Sequence, residues 1–315
     1  MKLVFMGSGR FAVPSFRALL DSSHTVTALI TQPDKPAGRG HALHAPPTKT
    51  LALERSVPVH QPRKVRDPES VALFEELAPD CIVVAAYGQI IPKSILDLPP
   101  KDNINVHGSL LPAYRGAAPI QWAIVRGETE TGITTMLMDE GMDTGAILLQ
   151  KKIPIDPEDT SASLEDKLSL VGADLILETL TGWEANAIEP RPQDDSKATL
   201  APRIKPENAL VDWNRSATEI ECAIRGFDPW PVAHTTFRGK TVKLWRAAVE
   251  LSGEGKGHPG EPAEIVSVSG DGILVRCGGN SYLRLIEIQA EGKKRMAADA
   301  FARGQHLTAG GRFSE

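Results

Sequence analysis

The 315-residue sequence has little cysteine and no long apolar run, and each shortage excludes a class of protein. Its three cysteines, Cys81, Cys222 and Cys277, are far apart and form no C-x-x-C pair. They therefore predict free, buried thiols in a reducing cytosol, and neither a disulfide framework nor a metal site. No segment approaches the ~18 apolar residues of a membrane span, and the apolar run at residues 3–6 is too short for a signal peptide. We expect a soluble, cytoplasmic monomer that has no membrane partner.

The excess of negative over positive charge is also small, because the net charge is only −5. This value excludes a strongly basic nucleic-acid binder. The distribution is uneven, since residues 1–202 carry 19 Lys and Arg against 26 Asp and Glu, whereas residues 203–315 carry 16 against 14. The mildly basic last third is compatible with a polyanionic partner, although this is weak support by itself.

Strand-like and helix-like segments alternate through the first half of the chain. The predicted strands cover residues 2–6, 25–31, 81–86, 103–107, 132–139 and 146–153, and the predicted helices cover 14–20, 49–55, 68–77, 119–126 and 161–183. The run "CIVVAA" at 81–86 is continuously apolar, as a strand buried on both faces should be. The alternation predicts an α/β fold with a doubly wound, mostly parallel, Rossmann-like sheet.

The composition changes after this region. Residues 186–206 are rich in proline, aspartate and lysine, which predicts an extended, semi-rigid connector. The short β runs and Gly-containing turns beyond it predict a small OB-like β-barrel. We therefore predict a catalytic domain at 1–189, a linker at 190–206 and a second domain at 207–315.

The first strand ends in "GSGRFA" (7–12), which matches the dinucleotide-binding pattern, with Asp34 about twenty residues later. A single match of this kind is weak, and Asp34 opens the proline-rich loop 33–49 instead of closing a second strand. A tight strand-to-helix turn explains the pattern better than a nicotinamide cofactor does.

The strongest chemical signal is "NINVH" at 103–107. Residues two apart in a strand share a face, so Asn105 and His107 point the same way at the strand's C-terminal end. Open α/β sheets bind ligands at such ends. An amide and an imidazole N–H that converge on one point can hold a carbonyl oxygen that is becoming an oxyanion.

The residues around this pair resemble the signature of formyltransferases that use 10-formyltetrahydrofolate. The similar segments include Asn105-x-His107, "SLLPAYRG" (109–116) and Asp143 in "DEGMDTG", and "PDKPAGRG" and "IRGFDPWP" extend the likeness over nearly the whole chain. The full pattern is similar to the members that formylate the α-amine of initiator methionyl-tRNA. The resemblance implies a Rossmann-like formyltransferase domain, a tRNA-binding C-terminal domain and 10-formyltetrahydrofolate as co-substrate.

This resemblance also implies roles for individual residues. Asn105 and His107 would donate to the formyl oxygen, and Asp143 would orient the imidazole and relay a proton. Two segments at strand ends would border the folate: Tyr87, Gly88, Gln89, Ile90 and Ile91, and Ser109, Leu110, Leu111 and Pro112.

Substrate choice must lie elsewhere, because the same three residues serve formyltransferases that act on other amines. The basic loop 33–49 and the basic strand region of the second domain favour tRNA. The candidate tRNA contacts are Lys35, Arg39 and Lys49 in the loop, and Lys240, Lys243 and Arg246 in the second domain. A formyltransferase for an amino sugar nucleotide is the alternative, and an RNA-binding module on an inactive scaffold is a second one.

Overall fold

The protein is described by a computed structural model that covers residues 1–37, 42–251, 253 and 260–314. Its strands are β1 (Lys2–Gly7), β2 (Thr25–Ile30), β3 (Lys35–Ala37), β4 (Ala42–His44), β5 (Val59–His60), β6 (Cys81–Ala85), β7 (Asn103–His107), β8 (Glu130–Leu137), β9 (Ile147–Pro154), β10 (His234–Phe237), β11 (Lys240–Val249), β12 (Ile265–Ser269), β13 (Gly272–Arg276), β14 (Tyr282–Ala290) and β15 (Met296–Ala297). Its α-helices are α1 (Ala12–Leu20), α2 (Pro47–Glu54), α3 (Pro68–Leu77), α4 (Lys93–Leu96), α5 (Pro119–Val125), α6 (Ser161–Glu184), α7 (Ala217–Gly226) and α8 (Ala298–Gln305).

The chain divides into two compact units that are each discontinuous in sequence. The first unit comprises Met1–Pro119, Glu130–Pro154 and Glu165–Pro202. The second comprises Ile120–Thr129, Ile155–Leu164 and Arg203–Glu315. Two short segments, Ile120–Thr129 and Ile155–Leu164, thus belong to the second unit although they precede its main segment. The boundaries drawn from the sequence, at 189 and 206, stay a prediction.

The first unit contains a seven-stranded sheet in the order β5-β2-β1-β6-β7-β8-β9. The five strands from β5 to β7 are parallel, whereas β8 runs antiparallel to both of its neighbours. β6 lies in the interior of the sheet, and all five of its residues are buried, as its continuous apolar run predicts. The predicted α/β class with a doubly wound, mostly parallel sheet is confirmed.

Close packing explains the glycine pattern after β1. A Cβ atom on Gly7 would lie 2.8 Å from the carbonyl oxygen of Ala85 and 2.9 Å from the Cβ of Ala12. The strand-to-helix turn therefore has no room for a side chain at this position. The pattern at 7–12 serves the approach of α1 to the sheet, in keeping with the structural interpretation of the sequence.

The loop predicted at 33–49 contains a hairpin that the sequence analysis missed. β3 pairs antiparallel with β4, and Lys35 lies opposite His44. Each strand has three residues, which is too short to produce a recognisable alternation. The predicted tip residue Arg39 lies outside the described residues.

The segment predicted as a connector is attached to the first unit along much of its length. Arg191 exchanges two backbone hydrogen bonds with Ile147, of 2.8 and 2.9 Å. Further along, the Arg115 N–H donates to the Thr199 carbonyl at 2.8 Å, and the Ala201 N–H donates to the Arg115 carbonyl at 2.7 Å. Residues 191–201 therefore lie within the first unit, and the extended linker at 190–206 stays a prediction. Their polar composition hid this because the bonds come from the backbone.

The second unit contains an antiparallel sheet in the order β10-β11-β14-β13-β12, and β15 pairs with β14. α7 begins with a capping box in which Ser216 and Glu219 bond reciprocally. These hydrogen bonds, first from the Ser216 backbone and then from its side chain, lower the pKa of Glu219 to about 2. The interior contains stacked and edge-packed rings of Trp213, Phe237, Phe301 and Phe313.

Within the described part of the chain, the helices are all too short or too polar to span a lipid bilayer.

Candidate active site

β7 presents its polar residues on one face at the C-terminal end of the sheet. Ile104 and Val106 are buried on one side, and Asn105 and His107 lie on the other. His107 ends the strand and is 5% exposed. Asn105 and His107 therefore share one face of the strand, as the sequence predicts.

Asp143 reaches this pair from the loop between β8 and β9. Its Oδ1 lies 3.5 Å from the Asn105 Nδ2, which donates to it, and 3.6 Å from the His107 Nδ1. The Asp143 side chain is 18% exposed, so part of it is accessible to solvent. The structure thus brings together the three residues that the sequence singled out. Their catalytic roles stay a prediction.

The other nitrogen of the imidazole is already occupied. The His107 Nε2 lies 3.0 Å from the carbonyl oxygen of Tyr114, which fixes the ring plane. Because this oxygen can only accept, Nε2 must carry a hydrogen. Nδ1 is therefore the nitrogen that can face a substrate.

The Asp143 loop has an unusual backbone. Asp143 adopts a left-handed conformation with φ of 55°, which is uncommon for a residue other than glycine. Gly145 follows, where a Cβ would lie 1.8 Å from the Leu137 carbonyl oxygen. The Gly116 N–H donates to the Asp143 Oδ2 at 2.8 Å. The carboxylate is thus held by a backbone donor on one oxygen and faces the β7 pair with the other.

Gln193 and Arg115 complete this arrangement and were not predicted as site residues. The Gln193 amide donates to the carbonyls of Asp143 and Gly145, both at 2.8 Å. The Arg115 guanidinium donates to the Gln193 Oε1 from Nε at 3.0 Å and from Nη2 at 2.8 Å. The composition of residues 186–206 indicated a connector, so no signal in the sequence pointed to Gln193.

The first predicted folate segment, Tyr87 to Ile91, is only partly open. Tyr87 and Ile91 are buried in the core of the first unit. The Gln89 side chain bonds to backbone groups of 62–65, including a 2.8 Å bond from the Val65 N–H. Gly88 is exposed with a φ of 83°, and Ile90 is 88% exposed. Among these five residues, Gly88 and Ile90 are the ones available to a ligand.

Tyr87 carries a further feature. Its hydroxyl is buried and, within the described residues, has no hydrogen-bond partner. Burial raises the pKa of this phenol to about 12.

The second predicted folate segment, Ser109 to Pro112, is fixed by β8. Thr134 donates to the Ser109 carbonyl at 2.7 Å and accepts from the Leu111 N–H at 3.0 Å. The Leu111 side chain packs with Met136 and Ile147, while Leu110 and Pro112 are half-buried. The segment therefore has a rigid backbone, and its contact with folate stays a prediction.

The predicted tRNA residues of the first unit differ in availability. Lys35 is exposed on β3. The Lys49 ammonium, by contrast, donates to both carboxylate oxygens of Asp34, at 2.9 and 2.8 Å, and to Gln61 at 2.8 Å. The hydrogen bonds from Lys49, and next those from Gln61, lower the pKa of the Asp34 carboxyl. The Lys49 ammonium is thus occupied by contacts to Asp34 and Gln61 at the base of the hairpin.

The predicted tRNA residues of the second unit all belong to β11. Lys240 and Lys243 lie on opposite faces of the strand by simple alternation. The register shifts on both sides of Arg246, whose Nη2 lies 3.9 Å from the Glu158 Oε2. The three cations therefore do not form one continuous row along a face.

The predicted free thiols are confirmed, because Cys81, Cys222 and Cys277 are unpaired and buried. Burial raises the pKa of Cys81 and of Cys277 to about 12. Among the described residues, no three His, Cys, Asp or Glu side chains are grouped so that they could hold a metal ion.

Two family models match the chain. The model described as formyl transferase matches residues 1–180, and the model described as formyl transferase, C-terminal domain, matches residues 203–306.

The chain is also similar to individual proteins. It is 49% identical to the methionyl-tRNA formyltransferase of Geobacter sulfurreducens over 100% of this chain and 97% of that protein. It is 48% identical to the methionyl-tRNA formyltransferase of Trichlorobacter lovleyi over 98% of this chain and 96% of that protein. Among solved structures, WlaRD, a sugar 3N-formyl transferase crystallised in the presence of dTDP and 5-N-formyl-THF, shares the fold. The TM-score is 0.67 at 17% identity, over 93% of this chain and 99% of that one.

Proposed function

The chain belongs to the formyl transferase family, and we propose that it formylates the α-amine of initiator methionyl-tRNA with 10-formyltetrahydrofolate. The product, N-formylmethionyl-tRNA, would serve translation initiation. The observation that carries the proposal is the convergence of Asn105, His107 and Asp143 at the end of β7. The near-complete coverage of methionyl-tRNA formyltransferases at 48–49% identity supports methionyl-tRNA as the acceptor. A cytoplasmic location and a monomeric state remain predictions.

The reaction needs little help from a base. The free α-amine of methionyl-tRNA has a pKa of roughly 8, so an appreciable neutral fraction exists near pH 7. Its nitrogen attacks the formyl carbon, and a tetrahedral intermediate with a negative oxygen forms. The bond from this carbon to N10 of the folate then breaks, and the proton of the attacking nitrogen passes to N10.

The three residues match these demands. The Asn105 Nδ2 and the His107 Nδ1 both lie near one Asp143 oxygen. A formyl oxygen placed between them could accept from the amide and, when the imidazole carries a hydrogen on Nδ1 as well as on Nε2, from His107. The Tyr114 carbonyl holds the imidazole by its other nitrogen, which keeps Nδ1 directed at the substrate. Asp143 orients the ring and can receive the proton that leaves the amine.

The folate would lie against main chain and exposed apolar side chains. Gly88 and Ile90 supply such a surface at the end of β6, where open α/β sheets bind ligands. Tyr87 and Ile91 anchor the surface in the core. The rigid 109–112 segment would form the second wall, since Thr134 holds its backbone.

The tRNA would be bound by Lys and Arg side chains. Lys35, Arg39, Lys240, Lys243 and Arg246 remain the candidates, and phosphate contacts would make binding sensitive to salt. Lys49 would act indirectly, because it already binds Asp34 and Gln61 at the base of the hairpin.

A competition assay tests the proposal. The protein is incubated with 10-formyltetrahydrofolate and an equimolar mixture of methionyl-tRNA and a nucleotide-linked amino sugar, and both formylated products are measured. We expect formylated methionyl-tRNA alone. Preferential formylation of the sugar would show that methionyl-tRNA is not the main acceptor and would contradict the proposal. Formylation of neither amine would support an RNA-binding module on an inactive scaffold.

A further inference from the structure

Gln193 links the Asp143 loop to a segment about fifty residues later in the chain. Its amide nitrogen lies 2.8 Å from the carbonyl oxygens of Asp143 and of Gly145. An amide nitrogen carries two hydrogens, so one side chain can satisfy both carbonyls. The two bonds bracket the residue that presents the carboxylate.

The backbone at this loop needs support from outside. Asp143 has a left-handed φ of 55°, a conformation that disfavours side chains other than glycine. Strained backbone of this kind persists only where surrounding contacts fix it. The Gln193 bonds supply such contacts on the carbonyl side, and the Gly116 N–H supplies one to the carboxylate.

Gln193 is itself fixed in one amide orientation. The buried guanidinium of Arg115 donates to its Oε1 with two hydrogens, at 3.0 and 2.8 Å. Because guanidinium groups only donate, Oε1 must face Arg115 and the amide hydrogens must face the loop. Arg115 also donates to the Asp195 carboxylate at 2.7 Å, two residues further along.

We propose that Gln193, oriented by Arg115, is a positioning residue that holds Asp143 against Asn105 and His107. This inference rests on the proposed function, because it concerns the same formyl transfer. Gln193 makes no hydrogen bond to any of the three side chains and acts through the backbone of the loop. We call the two hydrogen bonds from Gln193 to the loop the clamp. Loss of the clamp should lower kcat and leave the KM values for formyl donor and tRNA near those of the wild type.

Two substitutions separate the clamp from the stability of the segment. Gln193→Ala removes the acceptor for Arg115 and the donor for the two loop carbonyls. Gln193→Glu retains an acceptor for Arg115, in a charge-assisted pair, but has no hydrogens for the two carbonyls. We expect kcat to fall about 10- to 100-fold in both variants, as a displacement of a catalytic group by about 1 Å does. Gln193→Glu should melt at a higher temperature than Gln193→Ala. Gln305→Ala, which changes an exposed glutamine at the end of α8, is the matched control and should keep the wild-type kcat.

A double-mutant cycle gives the decisive readout. If Gln193 acts through Asp143, then Gln193→Ala should change kcat by less than about twofold in an Asp143→Ala background. An equal loss in both backgrounds, or a wild-type kcat in Gln193→Glu, would overturn the inference. The wild-type protein is assayed in parallel with methionyl-tRNA. Its failure to turn over would refute the proposed function, whereas normal wild-type turnover with unaffected Gln193 variants would refute the clamp alone.

Discussion

The two compact units differ in where they keep their polar side chains. Of the sixteen buried polar or charged residues among those that the structure describes, thirteen lie in the first unit. There, Asn105, His107 and Asp143 meet at a strand end and are held by backbone groups and by Gln193. The second unit has a mostly apolar interior, which includes the rings of Trp213, Phe237 and Phe313, and it contains the other three buried polar or charged residues.

This difference separates chemistry from binding. A buried polar group costs free energy unless it is hydrogen-bonded, so a unit that retains many of them is shaped by more than stability. The first unit has the features of a preorganised site. The exposed cations of the second unit suit contacts to the phosphates of a polyanion. Substitutions of the three residues at the end of β7 should therefore act on kcat, and those of the basic residues of β11 should act on the KM for tRNA.

The largest expected effect comes from the three residues of the first unit. Asn105→Ala, His107→Ala and Asp143→Ala should each fold and lose about 10²–10³ in kcat, because each removes a group that acts on the developing charge. Steady-state kinetics together with circular dichroism measure both properties. Asn214→Ala, an exposed asparagine of the second unit, is the control. Near-native turnover in any one of the three variants would remove that residue from the site.

A smaller effect is expected from the basic strand β11. Lys240→Ala and Lys243→Ala should raise the KM for tRNA and leave kcat within about twofold of the wild type. The slope of log KM against log salt should decrease by about one for each phosphate contact that is lost. Lys152→Ala, an exposed lysine of the first unit, should change neither value. A fall in kcat without a change in the salt slope would break the division between the two units.

The ion pair at the hairpin base gives a pH-dependent effect on stability within the first unit. The folded-state pKa of Asp34 is depressed by Lys49, so this contribution to stability is complete above the ordinary aspartate pKa of about 3.9 and is lost as pH falls. Asp34→Asn should therefore lower Tm at pH 7, and the difference from the wild type should shrink below pH 4.

Thermal melts of both proteins from pH 7 to pH 3 measure this difference. Asp97→Asn alters a surface pair whose side chains are 63% and 59% exposed, and it should have almost no effect. A difference for Asp34→Asn that grows as the pH falls would contradict the assigned sign.

The smallest expected effect is on thiol labelling, which compares the units directly. Cys81 lies in the first unit and Cys277 in the second, and burial raises the pKa of each to about 12. Neither should react appreciably with a thiol reagent at pH 8 in the native protein, because the thiolate fraction is very small. Variants with Cys81 or Cys277 as the single cysteine would report the opening of one unit each. Rapid labelling of either in native buffer would contradict the buried position.

The sequence predicted the parts of the fold that depend on local pattern. α3 and β7 have the predicted bounds, since Pro68 suits the first turn of a helix and the alternation of 103–107 marks a strand. The β3–β4 hairpin was missed because its strands are too short to show a period. The attachment of 191–201 was missed because backbone bonds between distant segments leave no trace in composition.

The site was predictable to a similar extent. Strand parity alone placed Asn105 and His107 on one face, whereas Asp143 came from the family resemblance. Lys49 was predicted from its charge to contact tRNA. Its ion pair with Asp34 could not be predicted, because the two residues are brought together only by the folded loop. Gln193 lay in a segment without periodicity, so its role depends on tertiary structure alone.

A second double-mutant cycle tests whether His107 and Asp143 act together on one formyl oxygen. Single-turnover rates of methionyl-tRNA formylation are compared for His107→Ala, Asp143→Ala and the double variant at saturating substrates. We expect the double variant to be within about tenfold of the slower single variant, because groups that act as a unit are strongly non-additive. A double variant slowed by the full product of the two single effects would contradict it.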